Sequence, residues 1–253
     1  MSRTLYDSNT QSLFADAVAA QIASADATGG QERQRGDDLA GQIVADLRSA
    51  QVAPGPVPAA SRTPTVLAHL PGLLERMPSS PLADTLGPFM DGLDWYQIFD
   101  GGGIPDSLAS GLMAAQIIGK RGPLVSGELL FGMFLLAPHV TYPLHQHAAL
   151  EIYCVLSGEV AIRHGRAKPA RHVGAGMHSI TPPHQVHELR TGDGPCLITY
   201  VWTGDMTAEN WWWTQSGDGS WLRQCWCRRP DASWAPARSE PLTEAETDRA
   251  GDA

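Results

Sequence analysis

The chain has 253 residues, 43% of them hydrophobic, enough for a substantial core. Its formal charge is −9, from 27 acids against 18 bases with no cationic cluster. This argues against a nucleic-acid partner, since backbone binding relies on concentrated Lys and Arg. No window approaches the roughly 20 apolar residues needed to span a bilayer, and the N-terminus lacks the cationic start, apolar run and cleavage site of a secretory signal. Four cysteines (Cys154, Cys196, Cys225 and Cys227) are too few and too scattered for a disulfide scaffold. The expectation is a cytoplasmic protein with no membrane partner.

Residues 10–50 read as helical. Leu13, Phe14, Ala17, Val18 and Ile22 lie at helix spacing, and Ile43, Val44 and Leu47 continue the pattern after a Gly-Gly break at 29–30. Residues 51–64 hold four prolines and a glycine and predict a linker or extended crossing. A short helix follows from Thr65 to Met77, with Pro64 suited to its start. From about residue 93 the texture changes to short apolar runs punctuated by Gly and Pro. Leu93–Phe99, Glu128–Leu136, Glu151–Leu156, Val160–His164, Met177–Thr181 and Cys196–Trp202 all predict strands, with a tight turn at Ser157-Gly158-Glu159. Many short strands without intervening helices argue for a β-sandwich or small barrel. The predicted division is a helical region over 1–92, a β-barrel over 93–230 and a flexible tail over 231–253, the tail being rich in Pro, Ala, Ser and acids. Cys225-Trp226-Cys227 reads as two buried thiols on one strand face.

The chemistry concentrates in His145-Gln-His147-Ala-Ala-Leu-Glu151-Ile-Tyr153. Side chains two apart on a strand share a face, so these four odd-numbered polar residues project to one side. Leu150, Ile152, Cys154 and Leu156 project to the other. Burying so many polar groups without a cation would be costly, and three imidazoles with one carboxylate can hold a divalent metal while leaving positions open. Together with Gly158 the stretch resembles the first metal motif of the cupin barrels, and Gly176…Pro182-Pro183-His184-Gln185-Val186-His187 resembles the second. The resemblance implies an all-β cupin, a double-stranded β-helix or jelly-roll barrel, with an N-terminal α-helical region. Counting from Gly176 puts Pro182 in place, His184 where the motif has glycine, and His187 as the ligand. Two further positions depart from the pattern: His139 stands in place of a glycine and Thr191 in place of an asparagine. His69, His164 and His172 fall outside it and read as solvated, while His139 and His178 could approach the barrel mouth.

Tyr142-Pro-Leu-His145-Gln-His147-Ala-Ala-Leu-Glu151-Ile-Tyr153, the downstream His187, and Trp95-Tyr96 ahead of the barrel resemble the cupin-type dimethylsulfoniopropionate (DMSP) lyases of marine bacteria. That resemblance implies metal ligation by His145, His147, Glu151 and His187, with Fe(II), Zn(II), Mn(II) or Ni(II) as the ion. It implies Tyr153 as the base in a β-elimination to dimethyl sulfide and acrylate, assisted by Tyr142. The substrate is then a small sulfonium carboxylate. Aromatic faces attract cations, and Trp95, Tyr96 and Trp202 are the candidates to hold the sulfonium, ahead of the Trp211–Trp213 run.

Three rival functions fit the same motifs. An Fe(II) dioxygenase would use the same four ligands, a sugar-phosphate isomerase would want Lys and Arg around the pocket, and a non-enzymatic small-molecule-binding cupin would bind without turnover. The apolar faces of the N-terminal helices are compatible with capping the barrel, covering the site or building a homodimer.

Overall fold

The computed structural model describes residues 8–24, 30–55, 65–99, 103–230 and 233–252. Two helices open the chain, α1 (Ser8–Ser24) and α2 (Gly30–Ser49), followed by a two-residue strand β1 (Ala53–Pro54). A 3₁₀ turn at Thr65–His69 runs into α3 (Leu70–Glu75), and α4 (Pro81–Leu86) begins at Ser80, whose side chain accepts the Ala83 N–H as an N-cap. The short helix expected over 65–77 is therefore present as a 3₁₀ turn continued by the α-helical α3, ending at Glu75. Most of the Pro-rich linker, and the first residue of the Gly-Gly break, lie outside the described residues.

Two sheets follow. The first carries β2 (Trp95–Gln97), β3 (Leu112–Ile118), β4 (Leu124–Val125), β5 (Leu129–Leu136), β7 (Leu150–Ser157), β10 (His178–Thr181) and β12 (Cys196–Thr203), with β1 at its edge. The second carries β6 (Thr141–Gln146), β8 (Glu159–His164), β9 (Arg171–Gly174), β11 (His187–Arg190), β13 (Asn210–Gln215), β14 (Trp221–Arg228) and β15 (Trp234–Pro241). From β5 to β8 and from β10 to β13 successive strands alternate between the sheets, which is the double-stranded β-helix that the cupin resemblance implies. A further helix, α5 (Asp106–Gly111), precedes β3, and α6 (Glu244–Asp252) ends the described chain.

The first sheet is buried on both faces, and this explains its nearly continuous apolar strands. Along β5, Leu129, Phe131, Met133 and Leu135 pack beneath the N-terminal helices, whereas Leu130, Phe134 and Leu136 face the barrel interior. Strand β7 divides the same way. Leu150, Ile152, Cys154 and Leu156 join Phe14, Val18, Ile43 and Leu47 in the helix-side core, while Tyr153 and Val155 point inward. The helices thus lie on the outer face of the first sheet and share its core. Phe14 meets Phe131 edge-on at 5.0 Å between ring centroids. The buried Gln11 amide donates to the carbonyls of Leu47 and Ala50 at 2.7 and 2.8 Å, satisfying orphan groups at the end of α2. Leu13, part of the apolar pattern, is 53% exposed and points away from that core.

The expected flexible tail is instead structured. Strand β15 pairs with β14 along its whole length, and Trp234 is buried. Prolines 236 and 241 are tolerated because β15 is an edge strand, where an N–H can be absent without breaking a ladder. Arg238 and Arg223 tie the edge down through Glu209 and Glu240. Among the described residues no helix is long and apolar enough to cross a membrane.

Candidate metal centre

His145 on β6 and His187 on β11 lie directly across from one another in the second sheet. Glu151 and Tyr153 stand on β7 in the first sheet, opposite Trp202 and Tyr200 of β12. His147 occupies the turn between β6 and β7, so one short crossing between sheets delivers four polar side chains to the interior. His145, Glu151 and His187 are fully buried and His147 nearly so.

Each imidazole donates its Nδ1 hydrogen to a main-chain carbonyl two residues away. His145 reaches Pro143 at 2.7 Å, His147 reaches Ala149 at 3.0 Å, and His187 reaches Gln185 at 2.9 Å. That tautomer leaves each Nε2 as a bare lone pair, the usual arrangement behind a metal ligand. One ring nitrogen from each of the three lies within 4.8 Å of the others. Nε2 of His145 and of His187 has no hydrogen-bond partner. Glu151 Oε2 stands 3.2 Å from His147 Nε2 and 3.3 Å from His187 Nε2. Acceptors facing acceptors inside a dry core are unfavourable, and a divalent cation among them turns that repulsion into ligation. The donor set, three nitrogens and one oxygen, therefore fits a divalent metal.

Burial pushes the Glu151 carboxyl up, but positive charge and N–H donation at His147 and His187 beside it outweigh burial and hold it well below the usual carboxylate range, and a cation in the same place would do so with the imidazoles neutral. Its other oxygen, Oε1, accepts a short hydrogen bond from Trp202 Nε1, and the Trp202 ring lies against His147 at 4.1 Å. Trp202→Phe removes the donor while keeping a ring. The expected result is a 10–100-fold weaker metal affinity by isothermal titration, the usual cost of losing a partner that orients a ligand. Unchanged affinity would show that Glu151 needs no such positioning.

Tyr142 and Tyr153 both face the interior, although 142 and 145 have opposite strand parity. An irregularity in the β6–β11 register between His187 and Leu189 allows it. The Tyr142 ring stacks on His145 at 3.8 Å and 11°. The Tyr153 hydroxyl is buried with no partner at hydrogen-bonding geometry. Burial first, and then the Glu151 charge, push its pKa well above 10. Beside the donors a small cavity opens between the sheets, walled by Tyr96, Phe134, Tyr142, Tyr200, Trp202 and Trp234, with Arg228 at its edge. Trp95 does not line it. With Tyr96 facing inward, its neighbour on β2 must face outward, and Trp95 joins the helix-side core. Of the tryptophan run, Trp212 alone enters the interior core, stacked on Trp226 at 4.3 Å.

A search of family models matches residues 39–198, more than half the chain, to the dimethylsulfoniopropionate lyases. The chain belongs to the dimethylsulfoniopropionate lyase family. It is 36% identical over 90 residues to the dimethylsulfoniopropionate lyase DddQ of Ruegeria pomeroyi, covering 36% of this chain and 44% of that protein. It is 35% identical over 102 residues to the DddL protein of Cereibacter sphaeroides, covering 40% of this chain and 42% of that protein. The matched stretches thus span less than half the length of either relative. The crystal structure of Ruegeria pomeroyi DddQ superposes with a TM-score of 0.52 at 25% identity, over 63% of this chain and 81% of that one. A structure of the DMSP lyases RdDddP and RnDddQII, at 18% identity and TM-score 0.53 over 78% of this chain and 97% of that one, supports the fold alone.

The departures of this lyase-family chain from the cupin motifs now have a physical account. His139 and His184, at positions where the motif has glycine, adopt φ of 58° and 62°, the left-handed backbone that glycine adopts without cost. His184 is exposed, and its N–H donates to the His147 carbonyl at 2.7 Å, so it shapes the loop beside the centre. Thr191 Oγ1 accepts from Val140 N–H and donates to the Ala137 carbonyl. His178 pairs with the outward Cys154 and so faces away from the interior. Sequence reasoning missed Tyr200, Arg228 and Trp234 as walls, and took His164 for a solvated residue. It lies across from His187 with ring centroids 6.2 Å apart, and its Nε2 meets Thr181 Oγ1 at 3.1 Å.

The buried histidines give this chain a distinct acid response. Burial, then His187 and His147, hold His145 well below 6.5, and burial also lowers His187. Burial, then His187 and Arg171, push His164 down to about 4. As pH falls, the unfolded chain takes up protons near 6.5 before the folded one does. The metal-free protein is therefore expected to keep full stability above pH 6.5 and to lose it from 6.5 toward the lowered folded values, by up to about 1.4 kcal/mol per pH unit for each histidine. Denaturant midpoints measured between pH 8 and 5 test this, and a flat profile contradicts the neutral assignment.

Proposed function

We propose that this chain cleaves dimethylsulfoniopropionate to dimethyl sulfide and acrylate by β-elimination, with Tyr153 as the base. The observation that carries the reading is the Tyr153 hydroxyl, buried beside the Glu151 carboxylate, on a ring that neighbours the cavity-wall residues Phe134 and Tyr200. Family membership supports the substrate class.

His145, His147, Glu151 and His187 would hold the metal, leaving Fe(II), Zn(II), Mn(II) and Ni(II) compatible with the nitrogen-rich set. The bound ion would supply Lewis acidity, drawing charge from the substrate carboxylate and favouring the phenolate of the nearby tyrosine. The cavity supplies the other end. One face each of Tyr96 and Trp234 already carries a guanidinium, Arg121 at 4.4 Å and Arg228 at 5.3 Å. The sulfonium would lie among the cavity walls, where Trp202 offers the face turned from His147 and Phe134 and Tyr200, stacked on each other at 4.3 Å, offer one face each, every such face contributing about 0.5–2 kcal/mol.

Tyr153 Oη takes the proton on the carbon next to the carboxylate. The C–H electron pair becomes the Cα–Cβ double bond, the Cβ–S bond breaks, and its pair leaves on sulfur as dimethyl sulfide. The proton passes from Tyr153 to solvent as acrylate departs. No electron is gained or lost, which separates this reading from a dioxygenase on the same donors. Tyr142, stacked on His145, holds that ring and closes one wall.

The test is headspace gas chromatography on the full chain loaded in turn with each of the four metals, without oxygen. Dimethyl sulfide and acrylate in equal amounts are expected. No sulfide with any of the four would overturn the proposal, and turnover only with oxygen would favour the dioxygenase.

A further inference from the structure

We propose that Glu209, Cys225 and Cys227 form a second metal site, suited to a thiophilic divalent ion such as Zn(II), on the outer face of the second sheet. The two cysteines lie on one face of β14, with Trp226 between them turned into the barrel core. Contrary to the expectation of two buried thiols, Cys225 is buried but Cys227 is exposed, which leaves the pair open to solvent from one side. Their Sγ atoms are 3.8 Å apart. With zinc–sulfur bonds of about 2.3 Å, two sulfurs of a tetrahedral site stand about 3.8 Å from each other. A disulfide needs about 2.05 Å. The spacing excludes a disulfide and is common to a thiol–thiol contact and to two ligands on one ion.

Glu209, half-buried just ahead of β13, brings its carboxylate into the same cluster, where the three donor atoms lie within 4.8 Å of one another. Two thiolates and a carboxylate carry three negative charges, one more than a divalent ion neutralises. Arg238 supplies the balance. Its Nη2 donates to Glu209 Oε2 at 2.7 Å and its Nη1 lies 3.5 Å from Cys225 Sγ. Each carboxylate oxygen keeps a lone pair for a metal while accepting from the guanidinium. Binding releases two thiol protons to solvent, leaves Glu209 ionised throughout, and requires no redox partner. The exposed side would be completed by water. The site shares no residue with the centre inside the barrel, and the sulfur donors make it the softer of the two.

Cobalt(II) reports this site separately, because thiolate-to-cobalt charge transfer gives a near-ultraviolet band that histidine and carboxylate ligands do not. The full chain, kept reduced with a phosphine, is titrated with Co(II), and bound metal is counted after desalting. The wild type is expected to show the band, and Zn(II) is expected to abolish it and to slow alkylation of Cys227 at least tenfold. Cys227→Ser, an exposed change, is expected to remove the band and lower the metal count by one equivalent. Absence of the band in the wild type would overturn the proposal. So would a band or a metal count that Cys227→Ser leaves unchanged, since the sulfur ligand would then lie elsewhere.

Discussion

Tyr153→Phe is expected to lower dimethyl sulfide release by about 10²–10⁴-fold, the span that a positioned general base contributes, while metal content stays at the wild-type level. The two readouts separate because of where the hydroxyl sits. Its oxygen is buried facing the Glu151 carboxylate, which keeps Trp202 and His147 as neighbours when the hydroxyl is removed, so the deletion leaves little unpaired and relieves the cost of burying a poorly satisfied polar group. Thermal stability is therefore expected to hold or to rise by about 1 kcal/mol. A space-filling tyrosine would behave in the opposite way, with activity kept and packing disturbed. Activity within threefold of wild type would move the base elsewhere, with Tyr142 the next residue to change.

The second large effect concerns the metal. Chelation is expected to lower the melting temperature, because the ion binds the folded chain and relieves a buried cluster in which Glu151 Oε2 faces two Nε2 lone pairs at 3.2 and 3.3 Å. At a free-metal concentration one hundred times Kd the stabilisation is about 2.7 kcal/mol, or roughly 5–11 °C for a domain of this size. His187→Ala is expected to abolish the metal-dependent part of that shift and to reduce turnover to background. His187 is fully buried, with its Nδ1 committed to Gln185 and its Nε2 turned to Glu151, so the alanine removes one donor from the middle of the cluster. Scanning calorimetry with and without chelator, on both proteins, reads this directly. A melting temperature indifferent to chelation in the wild type would mean that the three imidazoles hold no ion.

The limits of the sequence are clearest at β2 and at the tail. Trp95 and Tyr96 are adjacent and both aromatic, and nothing local says which enters the barrel. Only the pairing of β2 with β3 sends Tyr96 inward and Trp95 beneath the helices. The tail's composition is that of a disordered segment, yet Trp234 finds a place beside the cavity and β15 gains a full-length neighbour in β14. The first gain is long-range and the second is a hairpin docked onto the edge of the sheet, and composition registers neither.

The candidate metal centre was legible because its residues lie at close range. His145, His147, Glu151 and Tyr153 lie within nine residues, and although the turn at His147 carries the chain from one sheet to the other, all four reach the interior while Leu150 and Ile152 between them face the helices. The choice of His187 over His184 also followed from spacing, and the structure places His187 buried and His184 exposed. What the sequence determined by itself was thus the identity of the cluster, the change from helix to short strands, and the class of fold. Tertiary structure alone decided which face of each strand became interior, the left-handed turns at His139 and His184, and the aromatic walls drawn from β2, β5, β12 and β15. The physical reason is one of distance. Periodicity is set by backbone geometry within a few residues, whereas a wall is assembled from strands far apart in the chain, whose register depends on packing across the whole barrel.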